Sequence, residues 1–242
     1  METQLKTLAD VLYESYAGLQ MAAYAFSKGK DRYSRSCYAL RATVLKKYKS
    51  GEMTIGDLYK NLIRQMTCDH NTCWYCGRKV GECGPLTADH IFPRAKGGAS
   101  VSDNLIMACR FCNSSKGTKD LLAWYAERGE FPPMRVLAHY LKLVNQFAMA
   151  NDLLNIPLTE IDARPLPFDY HAFPLDYPPP GLLNSSKPIQ YSLPKPSLPP
   201  IHNESTIGNE TNGVRQRRPD SLKGKIRMAD DFDALPEGFA PE

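Results

Sequence analysis

No stretch of this 242-residue chain stays apolar for the roughly 18 to 20 residues that a bilayer-spanning helix takes. No basic segment leading into an apolar run follows Met1, so no secretory signal is read and a cytoplasmic protein is expected. The sequence does not repeat itself. Cysteine is absent before Cys37 and after Cys112, and all seven thiols fall between those positions. Four of them form Cys-x-x-Cys pairs. In a cytosolic chain that spacing favours a metal over disulfides. Neither sign of charge dominates, but the formal net charge of +4 conceals an asymmetry. Residues 1–156 hold 21 Lys and Arg against 14 Asp and Glu, whereas residues 157–242 hold 9 against 12. The basic excess therefore lies in the part that carries the cysteines, as a polyanionic partner would require.

Apolar residues recur at helical spacing in three places before the cysteine pairs. Leu5, Leu8, Leu12 and Leu19 mark a helix over residues 4–26, closed by Ser27-Lys28-Gly29-Lys30. A second helix is expected over 37–49, ending in Lys46-Lys47-Tyr48-Lys49. A third runs from Thr54 to about Met66, with Asp57 completing an approximate capping box. Residues 1–66 thus read as a helical arm. After the cysteine region, Thr118 is a cap for a helix over Lys119–Arg128, and Pro133 opens a last helix over about 133–152. The stripe Val136, Leu137, Tyr140, Leu141, Val144, Phe147 suits packing on the N-terminal helices or the core, with a dimer seam as the alternative.

Fifteen of the 19 prolines lie in 157–242, a density that excludes a helix or an inner strand there. Phe168, Tyr170, Phe173 and Tyr177 suit residues 157–183 to an extended strap, and from about Asn184 the tail reads as disordered. The organisation expected is a 1–66 arm, a 67–156 core with its following helices, and a 157–242 Pro-rich tail.

The chemistry concentrates between residues 73 and 117. Cys73-Trp74-Tyr75-Cys76 and Cys109-Arg110-Phe111-Cys112 offer two thiolates each, and four thiolates close a tetrahedral structural zinc site. Trp74 and Tyr75 are expected to pack against the zinc unit. Cys68, His70 and Cys83 lack knuckle spacing and read as ordinary loop residues. Between the pairs, Leu86–Ile91 is compatible with a strand, Pro93 and Gly97-Gly98 force a turn, and Leu105–Ala108 suits the return strand. A helix is expected from Arg110 to Thr118. Strand alternation puts Asp89 and His90 on opposite faces. This unit has too few apolar residues to hold itself together without the metal.

The set Cys73-x-x-Cys76, Asp89-His90-x-x-Pro93, Gly97-Gly98, Asn104-Leu105 and Cys109-x-x-Cys112-Asn113-x-x-Lys116-Gly117 resembles the HNH endonuclease family, the zinc-knuckled, McrA-like form of the ββα-metal nucleases. The resemblance covers about 50 residues and implies an α+β fold: a small ββα-metal unit flanked by helices, with a Pro-rich, largely disordered C-terminal tail. It implies that His90 is the general base and that Asp89 and Asn113 hold a catalytic divalent ion, Mg²⁺ or alternatively Mn²⁺. It implies that Asn104 holds the turn and orients the base. The family often has His where Asn113 stands. The implied reaction is hydrolysis of a DNA phosphodiester to 5′-phosphate and 3′-hydroxyl ends, one strand per active site. A double-strand break would then need a homodimer or two visits.

The chemistry agrees with that implication. A hard cation suits a carboxylate and an amide oxygen, and an imidazole with an ordinary pKa of about 6.5 is a competent base near neutrality. Arg94, Lys96, Arg110, Lys116 and Lys119 are the expected phosphate contacts on DNA. The competing function is a non-catalytic, zinc-dependent nucleic-acid-binding module. A thiol redox protein would need a βαβ pattern that is not there. Phage, mobile-element or restriction-type defence biology is expected by analogy of class.

Overall fold

The computed structural model describes residues 5–55 and 71–191. Helix α1, Leu8–Ser27, starts at Thr7, whose hydroxyl accepts from the Asp10 N–H while Asp10 accepts from the Thr7 N–H. This reciprocal cap satisfies two of the donors a helix N-terminus leaves open. Helix α2, Arg35–Lys49, ends in Lys46, Lys47 and Lys49, cations that suit a helix C-terminus. Of the expected helix from Thr54 to Met66, residues 56–70 lie outside the described residues, as do Cys68 and His70.

Next comes a short turn of helix, α3, Val80–Cys83, and then a hairpin. Strand β1, Leu86–His90, runs antiparallel to β2, Leu105–Cys109, in a register that pairs Asp89 with Ile106 and His90 with Leu105. Helix α4, Arg110–Lys116, leads off from β2. The expected order of strand, long turn, strand and helix is therefore present.

Helix α5 spans Leu121–Glu127, and its cap is Asp120 rather than Thr118. One Asp120 carboxylate oxygen takes the N–H groups of Leu122 and Ala123, and the other takes the Tyr140 hydroxyl. Thr118 is held back by the turn that closes α4, in which the Lys119 N–H reaches the Lys116 carbonyl. Strand β3, Glu130–Phe131, precedes helix α6, Met134–Ala150. Val136, Leu137, Tyr140, Leu141 and Val144 on α6 are completely buried within this chain, and Phe147, half-buried, packs on Phe92 and Phe168, so the stripe is spent on the core.

Residues 157–191 correct the reading of the proline-rich stretch. They hold single helical turns, α7 at Leu158–Ile161 among them, because a proline just ahead of a turn gives up an N–H that needs no partner. Phe168, Tyr170, Phe173 and Tyr177 are buried, as a strap requires. The Tyr177 hydroxyl donates to the Ser15 carbonyl at 2.6 Å, and the Tyr33 hydroxyl to the Pro178 carbonyl at 2.7 Å. The ordered chain does not stop at Asn184. Met134 N–H reaches the Asn184 carbonyl, and strand β4, Ile189–Gln190, pairs antiparallel with β3. One hydrophobic cluster draws on α1, the first cysteine pair, the hairpin, α5, α6 and the strap. Phe92, from the loop after β1, packs edge-on against Tyr140 and Phe147 within it. The ββα unit is thus braced by apolar contacts that its own sequence lacks. No helix among the described residues is long and apolar enough to cross a membrane.

Candidate metal centre and active site

The two cysteine pairs meet. The sulfurs of Cys73, Cys76, Cys109 and Cys112 all lie within 4.8 Å of one another, three of them buried and Cys76 half-buried. Tetrahedral zinc–thiolate geometry, with Zn–S bonds of about 2.3 Å, puts sulfurs somewhat under 4 Å apart, so this donor set fits zinc. The first pair is shaped by a tight turn in which the Gly77 N–H bonds to the Cys73 carbonyl, and Gly77 has φ +67°. A Cβ there would also sit 2.4 Å from the Ser186 carbonyl oxygen, so the strap runs directly across the knuckle. The Cys109 N–H points at the Cys73 sulfur at 3.3 Å, a contact that favours thiolate. The thiols polarise one another. Donation from Cys112 and Cys73, with help from Arg78, draws Cys76 well below the ordinary thiol range, whereas the contacts of Cys112 with Cys73 and Cys76, together with burial, push Cys112 up. A divalent cation resolves that conflict by favouring thiolate at every position.

Asp89 sits on the buried face of β1, toward α4. Its Oδ2 accepts the Tyr75 hydroxyl at 2.7 Å and the Lys116 ammonium at 3.2 Å. Its Oδ1 has no hydrogen bond among the described residues. Thr87, two residues back and so on the same face, accepts from the Asn113 amide nitrogen at 3.2 Å. The Asn113 amide oxygen likewise has no hydrogen bond among the described residues. One carboxylate and one amide oxygen, both uncommitted and carried by β1 and α4, are the hard donors that Mg²⁺ or Mn²⁺ takes. His90 is the last residue of β1, and its Nε2 lies 2.9 Å from the Ser100 hydroxyl.

Asn104 closes the loop between the two strands. Its side-chain oxygen accepts the Phe92 N–H at 2.7 Å, and its nitrogen donates to the Phe92 and Ala99 carbonyls at 3.0 and 2.8 Å. The Asn104 turn is anchored in its turn by α6: His139 Nε2 donates to the Asp103 carbonyl at 2.6 Å, and the Lys142 ammonium pairs with the Asp103 carboxylate at 2.7 Å. Burial holds His139 below the ordinary imidazole range, so it stays neutral near pH 7. Gly98 completes the loop. A Cβ there would fall 1.9 Å from the Phe92 carbonyl oxygen and 3.1 Å from the Asn104 amide. Gly98→Ala is therefore expected to open the loop, costing on the order of 2 kcal/mol in urea unfolding, with no change in zinc content. An unaltered unfolding midpoint would show that the loop tolerates the displacement.

The five expected phosphate contacts divide. Arg94, Lys96 and Arg110 are exposed, with no carboxylate partner among the described residues. Lys119 is exposed but ion-paired with Glu127. Lys116 is the correction: its side chain is completely buried, and its ammonium bonds the His90 carbonyl at 2.7 Å as well as Asp89. A group so enclosed offers nothing to a phosphate at the surface. Sequence reasoning also missed Tyr75 and Ser100 as partners of the Asp-His pair. Trp74 is half-buried, with the Arg135 guanidinium over its ring at 5.1 Å.

Residues 73–119, which is 47 of the 242, match the family described as HNH endonuclease. No curated protein and no solved structure matches the chain.

Proposed function

With an HNH endonuclease segment at residues 73–119 as the premise, we propose that this protein is a metal-dependent endonuclease that hydrolyses DNA phosphodiester bonds. The observation that carries the proposal is the pair of oxygens uncommitted among the described residues, Asp89 Oδ1 on β1, the strand that also bears His90, and Asn113 Oδ1 on α4. A divalent ion held there supplies positive charge to the scissile phosphate and to the departing 3′ oxygen. His90 takes a proton from the attacking water through a ring nitrogen, with Ser100 steadying the imidazole at Nε2. Asn104 keeps the loop after His90 in one conformation. Arg94, Lys96 and Arg110 meet the DNA backbone outside the reacting centre, positioning it without reading sequence. The four cysteines hold zinc and take no part in the reaction. Phage, mobile-element or restriction-type defence is the setting we assign by analogy of class.

Supercoiled plasmid incubated with the zinc-loaded protein tests the reading. Nicking with Mg²⁺ that stops when EDTA chelates it is the expected result. Plasmid retardation with no cut product under any divalent ion would instead make this a zinc-dependent nucleic-acid-binding module.

A further inference from the structure

A carboxylate on a short strand can present either oxygen to a metal, and rotation about its last bond exchanges the two. In this chain the two oxygens of Asp89 are not equivalent. The Tyr75 hydroxyl and the Lys116 ammonium both donate to Oδ2, and Oδ1 receives nothing among the described residues. Both donors are at most 1 % exposed, so neither bond is exchanged easily for water. Charge-assisted hydrogen bonds in such surroundings are short and costly to break.

We propose that Tyr75 and Lys116 are the positioning residues of the cation site, fixing Asp89 by its Oδ2 so that Oδ1 alone is presented to the divalent ion. The inference rests on the proposed role of Asp89 and adds two residues to it. Their positions in the fold give them different parts. Tyr75 lies between Cys73 and Cys76, its carbonyl taken by the Tyr125 hydroxyl at 2.8 Å, so it ties Asp89 to the zinc knuckle. Lys116 closes α4 and also holds the His90 main chain, so one ammonium sets strand β1 against the helix that carries Asn113. A compact point charge can serve both acceptors, and the planar fork of Arg is poorly suited to that enclosed corner. Lys116 also neutralises part of the Asp89 charge, which lowers the attraction the site exerts on any cation.

The two parts give opposite signatures. Manganese binding is measured on the zinc-loaded full chain without DNA, from the loss of the free Mn²⁺ signal in electron paramagnetic resonance. Tyr75→Phe is expected to raise the Mn²⁺ Kd about fivefold, the equivalent of one lost hydrogen bond, with zinc content kept. Tyr177→Phe removes a buried hydroxyl that bonds the Ser15 carbonyl and touches neither Asp89 nor Tyr75. It is expected to lower the melting temperature comparably and leave the Mn²⁺ Kd alone. Lys116→Met is expected to bind Mn²⁺ no more weakly than wild type, since a competing charge is gone. It should nonetheless nick plasmid at least about tenfold more slowly at saturating metal, because Asp89 is freer to turn the bound ion out of line and the His90 main chain has lost its tie. Wild-type Mn²⁺ binding by Tyr75→Phe, or a wild-type saturating rate for Lys116→Met, overturns the assignment for that residue. Asp89→Asn separates this from the underlying reading: if it binds Mn²⁺ as wild type does, the ion is not held at Asp89, and the proposed function fails along with the positioning.

Discussion

Replacing His90 by Ala is expected to reduce plasmid nicking by about 10² to 10⁴, the usual contribution of a general base, while zinc content and DNA binding remain at wild-type levels. The separation follows from where the imidazole sits. His90 ends β1, half-buried, and among the described residues its side chain bonds only the Ser100 hydroxyl. What the fold needs from residue 90 is its main chain. The carbonyl accepts from Lys116, and the residue pairs with Leu105 across the hairpin; alanine preserves both. Nicking at the wild-type rate would remove His90 from the mechanism. Lost zinc or a lowered melting temperature would give the imidazole a structural role instead.

Cys109→Ser is expected to have the largest effect on stability: less than one zinc per chain and a loss on the order of 4 kcal/mol or more. For a domain of this size that is roughly 8 to 16 °C in melting temperature. Cys109 ends β2 and leads into α4, so loss of its thiolate unties the metal from the hairpin and the helix start at once. Cleavage should fall in proportion to the zinc lost, because Tyr75 connects the knuckle to Asp89. Retention of one zinc per chain with unchanged melting would contradict the assignment of the four thiolates.

What could be read from the sequence was what repeats locally. The cysteine pairs, the Asp-His pair, the turn at Gly97-Gly98 and the apolar spacing of α1, α2 and α6 are short-range patterns with fixed periods. Thr87 was within reach too, since two residues before Asp89 on a strand means the same face. Lys116 was not. Nothing local distinguishes a lysine that turns inward to a carboxylate 27 positions earlier from one that faces solvent. The choice between Thr118 and Asp120 as cap was settled by Tyr140 and Asp169, which come from other elements and meet the same carboxylate. The pairing of Ile189–Gln190 with Glu130–Phe131 spans about sixty residues and lies in a proline-rich stretch that composition alone assigns to coil.

The strap bears on the order in which the chain assembles. The Tyr177 hydroxyl meets Ser15, the Tyr33 hydroxyl meets Pro178, and Arg41 reaches the Leu175 carbonyl, contacts separated by 162, 145 and 134 positions. During synthesis α1 and α2 emerge well before the segment that covers them. Until about residue 178 has left the ribosome, the partners available to α1 among the described residues are chiefly α2 and α6 with the residues just after it. Contacts this distant slow folding, because loop closure must be completed before they form. A ribosome-bound intermediate ending near residue 150 is therefore expected to expose Tyr33 and the Gly18 face of α1. It would hold its zinc knuckle open on the side where Ser186 later lies across it.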